Sequence, residues 1–355
     1  MNKNKIGVIL LFMFLLVVRA EQVFADIDKS EAGAVGFLYK TNHPENQQGE
    51  SGYFDLRMQP GQKQTVSITL INPGEKEVKV SVVLSGVRTN SNGVLEYGPT
   101  KLEKDSSMKF DFVDVVKAPK EVVIPAKSEQ ALNLDIEMPD TTFDGYIAGG
   151  IQLQKINDEE SEKKKDKGTK VINEYAYNIA MLLSETNQKL EPALHFVKAY
   201  ASQLNGRNIV TVDIGNEKSD YLDGLTIEAQ IMTDKSDEVL YESKKPGMEI
   251  GPNNVLNYQV SMSGEAMKPG NYRAHVLATA KGKKWEWTEN FKITKEEAEK
   301  FNREDIGLDQ NRGLDWKLVA GIVGGVLLLI ITIFGLIHFT TRKKQKKRKK
   351  RPQKK

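Results

Sequence analysis

Hydrophobic and polar positions in the middle of the chain alternate with a period of two. Val66, Ile68 and Leu70 interleave with Thr65, Ser67 and Thr69. Val78, Val80 and Val82 interleave with Lys79 and Ser81, and Leu132, Leu134, Ile136 and Met138 with Asn133, Asp135 and Glu137. The pattern returns at Val210, Val212 and Ile214, at Leu225, Ile227, Ala229 and Ile231, and at Tyr272, Ala274 and Val276. A period of two sends successive side chains to opposite faces, so each run predicts a strand with one dry and one wet face. Turn signals separate the runs: Asn72-Pro73-Gly74, Asn92-Gly93, Asp223-Gly224 and Pro269-Gly270. Many short strands at this spacing predict a mainly β fold built of sandwiches. Only Lys295 to Asn302 reads as helix, leading into a polar stalk.

A loose internal repeat predicts two immunoglobulin-like sandwiches in tandem. Pro125 opens a strand ending at Met138, followed by Asp144-Gly145-Tyr146-Ile147-Ala148. Pro252 opens a strand ending at Met262, followed by Pro269-Gly270-Asn271-Tyr272-Arg273-Ala274. The Pro-to-Tyr distances are 21 and 20 residues, and each Tyr precedes an inward small residue by two, the spacing of a tyrosine corner. Asn157 to Lys170 carries ten charged residues in fourteen and cannot form a core. Read as a linker, it divides a first sandwich at 30–156 from a second at 171–294, with the stalk at 295–317. Alternatively, Ile147–Leu153 and Val171–Leu183 pair as a hairpin across it, which moves the boundary to near Thr186.

The two ends place these domains outside a cell. Lys3 and Lys5 precede an apolar run from Ile6 to Val18, and Val23-Phe24-Ala25 suits signal-peptidase cleavage, so 1–25 reads as a secretory leader. Leu318 to Phe339 runs 22 residues without a charge, long enough to cross a bilayer as a helix. Eleven positive charges fill 342–355, beginning Arg342, Lys343 and Lys344. Such a cluster stays on the cytoplasmic side and attracts anionic lipid. Trp316 sits one turn outside the span, where an indole prefers the headgroup region.

Charge and cysteine content narrow the function further. The total is +3; the leader contributes +2 and the tail +11, leaving −10 for 26–341. An acidic ectodomain is no nucleic-acid binder. With no cysteine, the domains are held by core packing alone, and thiol nucleophiles are excluded. The four histidines, His43, His195, His275 and His338, show no zinc spacing, and neither a nucleophile elbow nor a phosphate loop occurs. No metal and no cofactor is expected. Asp140 and Asp144 flank a turn without regular calcium-ligand spacing. Gly149-Gly150 inside a strand predicts a bulge or a close backbone approach. Trp285 and Trp287 share one strand face, as core or as an exposed binding ledge.

The chain resembles the WxL-interacting protein family. The resemblance lies in Asn42-His43-Pro44-Glu45-Asn46-Gln47, Gly52-Tyr53-Phe54-Asp55-Leu56 and Gln59-Pro60-Gly61-Gln62. It continues in Thr89-Asn90-Ser91-Asn92-Gly93 and Phe143-Asp144-Gly145-Tyr146 with Gly149-Gly150. In the second half it takes in Asn173-Glu174-Tyr175-Ala176-Tyr177, Gly251-Pro252-Asn253, Pro269-Gly270-Asn271-Tyr272 and Trp285-Glu286-Trp287, with His43 a departure. The resemblance implies a two-part surface protein of Gram-positive bacteria. Its first domain would bind peptidoglycan and its second a host extracellular protein, with WxL-domain surface proteins as assembly partners.

Glycan binding calls for amide and hydroxyl groups beside an aromatic face. Asn42, Asn46, Gln47, Tyr53 and Phe54 supply them in one segment. Alternatively, Tyr53 and Phe54 belong to the first strand, one of them inward, and the amides solvate a loop. The leading expectation is a non-enzymatic, membrane-anchored scaffold or adhesin. A wall-glycan hydrolase, which needs paired carboxylates, and a tethered folding helper that donates a sheet edge are the alternatives.

Overall fold

Inward positions of the alternating strands close into two pairs of stacked sheets. The computed structural model describes residues 33, 35–156, 174–308 and 320–334. In the first sandwich one sheet orders β1 (Leu38–Asn42), β3 (Lys63–Asn72), β9 (Ser128–Glu137) and β7 (Val116–Lys117) as β1-β3-β9-β7. The facing sheet runs β2 (Phe54–Arg57), β11 (Ala176–Ser184), β10 (Ile147–Lys155), β4 (Val78–Gly86) and β8 (Glu121–Ile124). β3 and β9 pair antiparallel with Val66 opposite Leu134 and Ile68 opposite Leu132, so one apolar row lines the core. Fully burying each such side chain contributes about 1.5–3 kcal/mol. A one-turn helix α1 (Phe112–Val115) plugs Phe112 into the same core.

In the second sandwich one sheet runs β12 (Leu194–Leu204), β13 (Arg207–Asn216) and β16 (Val255–Ser261). It faces a sheet ordered β15 (Val239–Ile250), β14 (Leu222–Thr233), β17 (Gly270–Ala280) and β18 (Lys283–Ile293). Tyr258 is fully buried and satisfies its hydroxyl by donating to the Ile227 carbonyl at 3.1 Å. A small hairpin of β5 (Arg88–Thr89) and β6 (Leu95–Glu96) leaves the first sandwich toward the second.

The expected start of the second sandwich at residue 171 is corrected. β11 pairs along its length with β10 and runs parallel to β2, both in the first sandwich. Its inward Ile179, Met181 and Leu183 belong to the first core, so the hairpin alternative holds and the sandwiches meet in the segment after Ser184. The helix expected at Lys295–Asn302 forms, but as part of the second sandwich and not of a stalk, while residues 309–317 lie outside the described residues. α2 (Lys295–Glu304) starts on a capping box between Thr294 and Glu297 and buries Ala298 against the second core. Asp305 is buried, and its carboxylate accepts the Asn208 N–H at 2.8 Å, which seals one end of the sandwich. The amphipathic helix is therefore docked through Asp305.

Asp223-Gly224 is a bulge inside β14 and not a turn. Its register skips between Leu222 and Leu225, with Gly224 at φ +67°. Gly149 and Gly150 keep regular register in β10, opposite Met181 and Ala180, and mark a close approach rather than a bulge. The repeat is half reproduced: Tyr272 donates to the Lys268 carbonyl at 2.8 Å, forming a corner, whereas Tyr146 turns to the junction between sandwiches.

Residues 320–334 are helical. Among the described residues no helix is long and apolar enough to cross a membrane. The leader 1–25, the charged segment 157–170, Trp316, residues 318, 319 and 335–339 of the expected span and the basic tail lie outside the described residues.

Candidate functional site

The amides of the first loop hold the fold together. Residues 46–48 lie against the outer edge of β2. The Arg57 N–H donates to the Asn46 carbonyl at 3.0 Å and the Gln48 N–H to the Asp55 carbonyl. The loop thus pairs an edge strand that would otherwise stay open. Asn46 donates to the Arg57 carbonyl at 2.9 Å and exchanges hydrogen bonds with the Gln64 amide at 3.0 and 2.9 Å. Gln47 accepts the Asp55 N–H at 3.1 Å, and Asn42 donates to Ser67 and Thr69 on β3. Phe54 is fully buried, with His43 edge-on to its ring at 5.8 Å, which gives His43 a packing role. Of this segment Phe54 is thus core, Asn42, Asn46 and Gln47 are half-buried in hydrogen bonds of the fold, and Tyr53 is 39% exposed.

Trp285 and Trp287 lie on the inward face of β18, partly buried against the second core, and form no free ledge. Trp316 and the anchor residues Arg342, Lys343 and Lys344 lie outside the described residues.

Residues from both sandwiches meet at a polar junction that sequence reasoning missed. Gly251 donates its N–H to the buried Thr89 hydroxyl at 2.9 Å, and Glu249 donates to the Gly93 carbonyl at 2.8 Å. The Asp105 N–H donates to the Asn253 carbonyl at 2.8 Å, while the Asn253 side chain donates to Ser107 at 2.8 Å. Buried Asp105 of the first sandwich and Glu217 of the second flank the His195 ring at 3.3 and 3.4 Å. The turn motifs at 89–93 and 251–253 are thus two halves of one joint.

Four tyrosines surround the rim of this joint. The hydroxyls of Tyr97 and Tyr221 lie 3.2 Å apart, and the rings of Tyr146 and Tyr221 are 5.6 Å apart. Burial, reinforced by the charges of neighbouring groups that include Tyr53, holds the hydroxyls of Tyr97, Tyr146 and Tyr221 above the ordinary tyrosine range. They remain neutral hydrogen-bonding groups throughout the physiological range.

Beside Tyr146 the two sandwiches leave a cleft of about 370 Å³. Its first-sandwich wall comes from the loops at 107–110 and 141–147, and its second-sandwich wall from Leu190, 217–219 and Asn253. Gly145 at φ +91° lets the chain approach Ser219 closely, with the Tyr146 N–H donating to the Ser219 carbonyl at 2.6 Å. Phe110 and Phe143 lie 6.0 Å apart at a tilt of 54° and form the apolar floor with Ile147. Two carboxylates stand at the rim: Asp144 accepts from the Thr186 hydroxyl at 2.6 Å, and Glu217 lies 3.4 Å from the His195 ring. Lys109 and Lys218 have no ion pair among the described residues. The cleft therefore offers an apolar floor, hydroxyl and amide groups, and two available cations, a chemistry suited to binding.

Comparison with known proteins divides the chain in two. Residues 37–155 match the family model of the peptidoglycan binding domain of WxL Interacting Protein, and residues 166–303 match that of its host binding domain. Both models describe binding domains. The second match takes in β11, which hydrogen-bonds within the first sandwich, so the two matched segments interlock. No curated protein matches in sequence. Among solved structures, a fimbrial chaperone–tip adhesin complex of CFA/I biogenesis is 8% identical, with 72% of this chain and 97% of that chain covered and a TM-score of 0.29. The YadV chaperone is 13% identical, covering 72% and 100%, with a TM-score of 0.28. The PapD-like domain 7 of human CEP192 is 9% identical, covering 44% and 88%, with a TM-score of 0.26.

Proposed function

Since the chain belongs to the WxL-interacting protein family over residues 37–155 and 166–303, we propose that it is a non-enzymatic, membrane-anchored scaffold of the Gram-positive surface. The first sandwich binds peptidoglycan, the second a host extracellular protein, and WxL-domain proteins assemble on the pair. The observation that carries this reading is the juxtaposition of two matched binding-domain models on two sandwiches locked at a polar joint. A fixed joint suits a scaffold, because two ligands are then held at a set spacing without the entropic cost of ordering a linker.

Leu318–Phe339 is the membrane span in this account, with Trp316 at the outer headgroups and Arg342, Lys343 and Lys344 at the cytoplasmic leaflet. The uncharged sequence supports this, as does the helix at 320–334. Protease added to intact, wall-stripped cells should remove the sandwiches and leave a C-terminal tag protected. Loss of the tag while the membrane stays sealed would overturn the orientation.

A further inference from the structure

We propose that the cleft between the sandwiches binds the peptide portion of peptidoglycan, taking a short peptide end with small apolar side chains and a free carboxylate. This rests on the wall-binding reading above and assigns it a place and a ligand chemistry. Three features of the cleft lead to that class.

The first is charge. Lys109 and Lys218 line the cleft with no ion pair among the described residues, beside Asp144, which accepts the Thr186 hydroxyl, and Glu217, which lies 3.4 Å from the His195 ring. The lining is balanced in charge, two ammonium groups against two carboxylates, and its ammonium groups, one from each sandwich, are the donors that a carboxylate occupant would meet. A lysine ammonium satisfies a carboxylate by a charge-assisted hydrogen bond, stronger than its neutral counterpart.

The second is the shape of the apolar floor. Phe110 and Phe143 are tilted and packed partly into the first core, with Ile147 between the loops and Leu190 opposite. Sugar rings stack on flat, open aromatic faces, which this floor does not present. Small aliphatic side chains, down to a methyl group, fit a recess with aromatic and aliphatic walls. A volume of about 370 Å³ lies at the lower end of ligand sites, enough for two or three small residues.

The third is hydrogen bonding. Ser107, Thr141, Thr142 and Ser219 line the cleft. Their hydroxyls can donate to or accept from a peptide backbone that enters from the rim. Because the walls belong to different sandwiches, an occupant bridges them, and its binding adds to the stability of the joint.

The experiment is calorimetric titration of the detergent-solubilised full chain with three probes. They are a disaccharide-pentapeptide with a free C-terminal carboxylate, the same molecule amidated at that carboxylate, and the peptide-free disaccharide. Retention on purified sacculi is measured in parallel. The free-carboxylate probe should bind at least tenfold tighter than the amidated one, with no measurable heat from the disaccharide. Lys109→Met, at an exposed side chain, and Lys218→Met, at a half-buried one, should each remove most of that tenfold difference. Equal affinity for the free and amidated probes overturns the proposal, as does binding of the disaccharide alone. If the full chain sediments with sacculi but ignores every soluble probe, the cleft assignment fails while the wall-binding reading stands. If it binds neither, both fail. A synthetic protein C-terminal peptide that outcompetes the pentapeptide would overturn the assignment in favour of a protein ligand.

Discussion

Gly150→Val should be among the most damaging single substitutions in this chain, lowering stability by roughly 3 kcal/mol or more. Gly150 sits inside β10, hydrogen-bonded between β11 and β4, opposite Ala180 and Ser85. A Cβ there would stand closer than 3.0 Å to the backbone carbonyl of Tyr97, and one on Gly149 would meet both the Phe112 ring and the Ser85 carbonyl. Neither neighbour can yield cheaply. Tyr97 is tied to Tyr221 across the joint, and Phe112 is a fully buried core residue. Overpacking of a closed site forces the backbone itself to move, unlike truncation, which leaves a void. Thermal unfolding followed by circular dichroism should show a fall of roughly 6–12 °C, at about 2–4 °C per kcal/mol for domains of this size. A melting temperature unchanged in Gly150→Val would mean that the Tyr97 segment does not lie on β10.

Arg88→Met should be nearly as costly, because it strands a buried carboxylate. Arg88 meets Asp111 at 2.6 Å with side-chain exposures of 12% and 6%, and Lys104 adds a second cation at 3.2 Å. Removing one partner of a buried pair costs about 3–5 kcal/mol, and the retained Lys104 places this variant at the low end. The pair also fixes the hairpin whose next residue, Thr89, receives the Gly251 N–H. The substitution should therefore loosen the joint as well as the first core, seen as faster amide exchange at Gly251. The pH response follows from the same groups. Burial pushes the Asp111 carboxyl up, but Arg88 and Lys104 outweigh it, so the folded pKa lies below the ordinary value of 3.8. A depressed carboxylate contributes stability that is fully present above its unfolded pKa and is lost as pH falls through its folded pKa. Wild type should lose this contribution only in acid below about pH 4. In Arg88→Met the carboxyl rises with its main cation gone, so acidification should relieve part of the defect. An Arg88→Met profile parallel to wild type from pH 7 to pH 3 would contradict the pairing.

Most strands were legible because burial and chemistry coincide along them: Val66, Ile68 and Leu70 of β3, Leu132, Leu134 and Ile136 of β9, and alternate residues from Tyr272 to Ala280 of β17 are both apolar and inward, whereas β13, expected to have one wet face, is buried on both. Less of the site could be read. An amide that closes an edge strand and one that binds sugar are the same residue in a sequence, so the bonds of Asn46 to Gln64 and of Gln47 to β2 could not be read from it. The run of charge at 157–170 suggests a domain boundary, yet the strands flanking it pair with each other, and only period-two continuity on both sides hinted at a hairpin. The joint was invisible for a different reason. Thr89 and Gly251 are 162 positions apart, and each sits in an ordinary turn motif whose partner no local pattern reveals. The same holds for the cleft, whose walls come from loops of different sandwiches.

The central claim is that this protein holds the cell wall without cutting it. Its most direct test is co-sedimentation of the detergent-solubilised full chain with purified sacculi, with assay of the supernatant for released reducing ends. The account predicts that most of the protein pellets with the sacculi and that release stays at the level of sacculi alone after overnight incubation. Protein left in the supernatant would contradict wall binding, and reducing ends that accumulate with time would make the protein a hydrolase.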